Sequence, residues 1–245
     1  VVPQQYRFSE TDCNTLVLLG YKITAKTGGK FDEFMTSIFP NFNLVELLRE
    51  VEAKFTSTTR ETIYREISFD TDKSLLVINY YNKALKYSDE LMFIRKFTRI
   101  DGKILVNHLY CIIPLLYRGK GLIKSVFKSS LQQYVNMNAD KIIVHAGLDS
   151  GGYVWAKFGF VAVNNDEVST ILANAEKRLT KVQYEIINSI YIKYYARDPN
   201  GRSFPMTLWA NLDFMKDLLM GSDWKGELDL KNSEQFSNFK EYVFR

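Results

Sequence analysis

The apolar positions change period several times along the chain, and each change marks an element. Between residues 31 and 55, Phe34, Ile38, Leu44, Leu47, Leu48 and Val51 recur at helical spacing, and Pro40 divides the stretch into two helices. Residues 62–69, 74–81 and 90–100 read as strands, the second rich in β-formers from Ser74 to Tyr81. Asp101-Gly102 predicts a hairpin turn into a further strand, 103–113. That strand carries Leu105 and Leu109 on one face and Val106, Tyr110 and Ile112 on the other, which predicts a central strand buried on both faces. From Lys120 to Val135 the helical period returns, with Ile123, Val126, Phe127, Leu131, Tyr134 and Val135 on one face. Lys141–His145 predicts a short strand, and Gly152–Lys157 a short helix stopped at Gly159. Further on, 166–195 predicts one long helical stretch and Asp198-Pro199-Asn200-Gly201 a turn. Residues 207–219 predict a helix ending before Gly221, and Trp224–Leu230 a strand. This order belongs to an α/β or α+β fold, a mixed central sheet flanked by helices.

Composition adds limits. Apolar residues are 46% and charged residues 24%, an ordinary globular balance, so a packed core is expected over most of the chain. The 245 residues fit one large domain with additions. A net charge of +4 suits an anionic ligand, but no dense Lys/Arg block is present and nucleic acid is not expected as a partner. Cys13 and Cys111 fit no metal spacing, and the two histidines lie apart, so no metal is expected. A reducing compartment, and hence a cytoplasmic location, is the default expectation. No stretch reaches the ~18 apolar residues a membrane span requires. The chain opens Val1-Val2-Pro3, with neither a signal peptide nor Met, as expected of a segment trimmed from a longer protein.

The most informative segment runs from Leu109 to Leu122. A strand ends at Pro114, and a short loop brings Arg118-Gly119-Lys120-Gly121 to the start of an amphipathic helix. The first turn of a helix has N–H groups without intrahelical partners and a partial positive charge. Glycines let a ligand approach that backbone, and Arg118 and Lys120 add positive charge. This is the physics of a pyrophosphate cradle. The spacing is not that of a P-loop, and a dinucleotide fingerprint would need glycine at Lys124.

The segment resembles motif A of the GNAT acyltransferase family, R/Q-x-x-G-x-G/A, with Arg118 and Gly121 matching and Ile123 departing from the last position. Pro114 and Tyr117 supply the family's lead-in. A second segment, His145 to Phe160, is similar to motif B, where a strand is followed by a short helix ending Y-x-K-x-G-F; Lys157, Gly159 and Phe160 match. The resemblance covers about residues 75–163, the expected coenzyme-binding core. Residues 1–60 form an N-terminal helical accessory part, 165–220 a helical insertion, and 221–245 a C-terminal strand and tail. More loosely, the second segment resembles a divergent group associated with phage and toxin proteins.

The resemblance implies acyl transfer from acetyl-CoA or another acyl-CoA to an amine of a small molecule or protein. The cradle would comprise Arg118, Gly119, Lys120, Gly121, Leu122 and Ile123. Backbone N–H groups of Ile112 or Ile113 would polarise the thioester carbonyl, and the motif B helix would bring Trp155 beside the coenzyme. Trp155 stands where many members have the tyrosine that protonates the departing thiolate, and an indole cannot serve as that acid. Tyr153 is the neighbouring phenol. For the base, the expected strand glutamate is absent, and the candidates are His108, His145 and Asp149. A lone histidine on a buried strand also reads as a hydrogen-bonded core residue. Two further readings compete: an inactive binding module that keeps the fold, and an acyltransferase-like effector domain of a longer protein. Tyr191, Tyr194 and Tyr195 read as packing of an added helix, with a substrate groove or partner interface as the other reading; a homo-oligomer is left open.

Overall fold

The period-two runs of the first half form a meander. The structure, a computed structural model, describes the chain apart from residues 1, 57, 60, 148, 198–200 and 202. Its contacts separate into two units, residues 1–141 with Phe244 and residues 142–243 with Arg245. In the first unit α1 (Glu10–Leu18), β1 (Lys22–Ala25), α2 (Phe31–Ile38) and α3 (Leu44–Phe55) precede β2 (Ile63–Asp70), β3 (Leu75–Asn82), β4 (Met92–Ile100) and β5 (Lys103–Ile112), and α4 (Leu122–Asn136) follows. The strands lie in sequence order, β1 parallel to β2 and the rest antiparallel. Asp101 and Gly102 both take positive φ, 50° and 77°, as a two-residue hairpin turn between strands of right-handed twist requires.

Alternation along the meander buries one set of side chains: Ile67 and Phe69, then Leu76, Ile78 and Tyr80, then Phe93 and Phe97. The apolar faces of α2 and α3 cover them. Phe34 lies 5.0 Å from Phe69 and Phe42 5.1 Å from Phe97, ring centroid to centroid. Phe39 and Phe42 flank the Pro40 break and are themselves buried, so the link between the two helices is part of the core. Each such ring contributes roughly 1.5–3 kcal/mol through burial.

The second unit contains β6 (Lys141–His145), α5 (Gly151–Lys157), β7 (Val161–Ala162), α6 (Asn165–Arg178), α7 (Lys181–Arg197), β8 (Phe204–Pro205), α8 (Thr207–Ala210), α9 (Lys216–Met220), β9 (Lys225–Asp229) and α10 (Ser233–Phe244). Its strands are ordered β6-β9-β7-β8, with β7 antiparallel to both neighbours. Phe204, Trp209 and Trp224 are fully buried, and Phe204 and Trp209 are 4.5 Å apart.

The fold is mixed α/β, with differences from the expected elements. The helical stretch 166–195 is two helices. Leu179 is extended (φ −94°, ψ 161°), and Thr180 then starts α7: its Oγ1 accepts from Gln183 N–H while Gln183 Oε1 accepts from Thr180 N–H. That reciprocal pair is a capping box, which the unbroken apolar period concealed. The expected helix 207–219 is α8, a 3₁₀ turn at Asp213–Met215, and α9. The C-terminal tail is helical as α10, capped by Asn232, whose side chain accepts from the N–H groups of Glu234 and Gln235. The N-terminal part holds strand β1 beside its helices. The turn expected at 198–201 falls mostly outside the described residues. Tyr191 and Tyr195 pack on Phe204 at 6.0 and 6.2 Å, on the side of core packing. Among the described residues no helix is long and apolar enough to cross a membrane.

Candidate functional site

The approach to the cradle begins with an irregularity between β4 and β5. Ile94 lies opposite Tyr110 and Arg95 opposite His108, so Leu109 is an extra residue on β5. The bulge turns both Leu109 and Tyr110 outward, each 44% exposed. The expected burial of both faces of this strand does not hold: one face, Ile104, Val106 and His108, is buried up to the bulge, the other, Leu105 and Asn107, is half-buried, and Cys111 and Ile112 beyond the bulge are half-buried.

Arg95 braces this point. It occupies the inward register between Phe93 and Phe97 and is 1% exposed. Its Nη1 donates to the carbonyl oxygens of Ile94 (3.0 Å) and Tyr110 (2.8 Å), and the guanidinium lies over the Phe93 ring at 4.0 Å. No carboxylate pairs with it among the described residues. Carbonyl dipoles and an aromatic face thus stabilise a buried cation.

His108 sits against this cation. Its Nε2 is 2.9 Å from the Tyr134 hydroxyl, and its ring packs 5.2 Å from Phe127. Burial first, and then Arg95, hold the imidazole well below its ordinary pKa. His108 is a neutral core residue, and its 4% exposure leaves a substrate no approach to the ring.

At the end of β5, Ile112 pairs opposite Met92, and the buried Ile113 leads into Pro114 and a 3₁₀ turn, Leu115–Tyr117. Arg118 folds back: its Nε donates to the Ile113 carbonyl at 3.0 Å, and its guanidinium stands 5.7 Å from the centre of the Tyr87 ring. Tyr87 belongs to the β3–β4 loop, which buried Asn82 shapes by donating to Asp89 O and accepting from Leu91 N–H. Gly119 and Gly121 then take φ of 73° and 74°, and no atom lies within 4 Å of where either Cβ would stand. Gly121 caps α4, whose first ladder bond is Ser125 N–H to Gly121 O. The first turn holds no acidic residue. Lys120 is exposed, with Nζ 5.5 Å from the centre of the Tyr117 ring, while Leu122 and Ile123 are half-buried. The loop has open backbone, a helix dipole and two cations, a combination that holds anions.

The other candidate residues lie in the second unit. Trp155 is 8% exposed and packs edge-on against Phe160 at 5.4 Å and against Phe158 at 6.0 Å. The side chain expected beside a coenzyme is thus packed in the core of this unit, on the inward apolar face of α5. Tyr153 is half-buried, and its charge contributes to raising the pKa of Tyr242, after burial. Asp149 is exposed, with a positive φ of 42°. His145 is exposed at the end of β6, and its Nε2 lies 2.5 Å from Asp223 Oδ1. Among the described residues no group of three or more His, Cys, Asp or Glu could hold a metal ion.

Three participants were not singled out in the sequence. Arg95 had a signal, a charge in the inward register of Phe93-x-Arg95-x-Phe97. Tyr87 and Asp223 had none, because their partners come from other elements. Comparison with known proteins gives no match to a family model, to a curated protein or to a solved structure.

Proposed function

We propose that this chain is an acyl-CoA-dependent N-acyltransferase of the GNAT type, with the coenzyme pyrophosphate on the backbone of residues 119–123. The observation that carries the reading is the pair Gly119 and Gly121, both left-handed and open, opening a 15-residue helix directly after a bulged strand. Glycine is needed twice, for the conformation and for the ligand's approach. Lys120 supplies charge, and Arg118 positions the loop through Ile113 and Tyr87. Ile112 and Ile113 are the backbone donors assigned to the thioester carbonyl. Acetyl transfer to an amine of a small molecule or protein then proceeds directly, in a ternary complex. His108 takes no part, since its ring is buried and neutral.

Titration calorimetry with acetyl-CoA tests the cradle. Gly121→Val should weaken binding at least about tenfold, or 1.4 kcal/mol, with circular dichroism unchanged. Absence of binding to the native protein overturns the proposal. One observation favours a second reading, an inactive module that binds the coenzyme: the residue at the position of the family's acid is the packed Trp155. Coenzyme binding without acetylation of any amine, peptide or protein extract would select that reading.

A further inference from the structure

Two loops leave the same end of the meander. β3 ends at Asn82 and β4 begins at Met92, which pairs with Tyr81 on one side and with Ile112, the last residue of β5, on the other. The β3–β4 loop, 83–91, and the β5–α4 loop, 113–121, therefore start side by side. Their 3₁₀ turns, Tyr87–Asp89 and Leu115–Tyr117, touch, and the Arg118 guanidinium over the Tyr87 ring joins them. Buried Asn82 fixes the first loop through Asp89 O and Leu91 N–H, and buried Ile113 and Pro114 root the second.

The tips of these loops are apolar and open to water. Leu85 is 98% exposed and Leu116 72%, with Leu115 and Tyr87 also exposed. Folding gains nothing from a leucine left wholly in water, and several of them on adjoining turns mark a surface with a partner. The charge around them is positive. Residues 83–90 and 113–124 hold five basic residues, Lys83, Lys86, Arg118, Lys120 and Lys124, against two acidic ones, Asp89 and Glu90. Lys83, Lys86 and Lys120 are exposed. Tyr87 and Tyr117 carry cations on their rings, Arg118 on the first and Lys120 on the second. Leucine, tyrosine and lysine match in turn the acyl chains, the interface and the anionic headgroups of a lipid bilayer. A protein partner calls for a face of about 800 Å² on each side, more than two three-residue turns present.

We propose that these two loops dock the protein on an anionic phospholipid bilayer, with Leu85 and Leu116 among the acyl chains and Lys83 and Lys86 against the headgroups. Docking is peripheral and reversible, since two leucines and a few cations hold far less tightly than a spanning helix. It does not rest on the acyltransferase reading. Arg118 and Lys120 serve the coenzyme in that reading, so the discriminating variants are those of Lys83, Lys86, Leu85 and Leu116.

Sedimentation with vesicles tests the docking. The native protein should bind phosphatidylcholine vesicles containing about 30 mol% phosphatidylserine at least about tenfold more tightly than phosphatidylcholine alone. Lys83→Gln with Lys86→Gln should weaken binding to the anionic vesicles about tenfold, and Leu85→Ser with Leu116→Ser at least as much. Circular dichroism and acetyl-CoA binding should be unchanged in both. The native tryptophans Trp155, Trp209 and Trp224 are buried, so an added one reports on its own position. Emission of Leu85→Trp should shift to the blue on the anionic vesicles. Ile100→Trp, exposed at the opposite end of the same sheet, should not shift. Native protein left in solution by the anionic vesicles, a leucine variant that binds as the native protein does, or an equal shift at Ile100→Trp overturns the proposal. Self-association of the native protein without vesicle binding, lost in the leucine variant, also overturns it and makes the loops a protein interface. If the native protein binds vesicles but no acetyl-CoA, the coenzyme reading falls and the docking stands.

Discussion

The two histidines look alike in sequence, each on a strand, yet one is enclosed and the other exposed. His108 is enclosed with Arg95, Phe127 and Tyr134, and its folded pKa is depressed by burial and by that cation. The unfolded imidazole has a pKa of about 6.5 and so binds a proton that the folded one refuses. Stability from His108 is therefore complete above about pH 6.5 and is lost as pH falls toward the depressed folded value, at up to about 1.4 kcal/mol per pH unit. Urea unfolding at successive pH values should show this slope, and His108→Gln should remove most of it between about pH 6.5 and pH 5. His145 is exposed and paired with Asp223, so it belongs to the surface and not to the core. At Gly121 the requirement is conformational: with φ at 74°, a β-branched side chain is strained even where space is free.

At the scale of elements, the bulge and the caps matter more than propensity. The Leu109 bulge ends the buried alternation of β5 and leaves the Tyr110 carbonyl to Arg95. Arg95→Lys keeps the charge but loses the planar guanidinium that lies on Phe93 while its Nη1 donates to two carbonyls. It should destabilise the protein by about 2 kcal/mol in denaturant unfolding, and a midpoint equal to the native one would refute the brace. The division of the 166–195 stretch rests on Thr180 and Gln183. Thr180→Ala should cost about 1 kcal/mol through the α7 cap, measured the same way. The Thr180-x-x-Gln183 spacing stands in the sequence, but the apolar period runs through it.

For the whole molecule, charge and unit organisation are the relevant scales. In the acyltransferase reading proposed above, the net charge of +4 with Lys120 exposed beside Gly121 makes coenzyme binding electrostatic in part. Raising NaCl from about 0.05 M to about 0.5 M should weaken acetyl-CoA binding several-fold in calorimetry, because the screening length falls from about 14 Å to about 4 Å. An affinity independent of salt would place the anion elsewhere. The sequence by itself determined the four strands between residues 62 and 113, the hairpin turn at Asp101-Gly102, the two helices on either side of Pro40 and the glycine-rich start of α4. These follow from local rules, since the period of apolar residues and the φ demanded of a turn act within a few positions. It also determined that positive charge and open backbone meet at residues 118–121. Tertiary structure alone decided which histidine is enclosed, which carboxylate reaches the other one, and that Trp155 turns into a core. His145 and Asp223 are separated by 78 residues and meet because two strands pair and a buried tryptophan sets the register. A contact of that kind is fixed by how faces pack, and no local pattern encodes it.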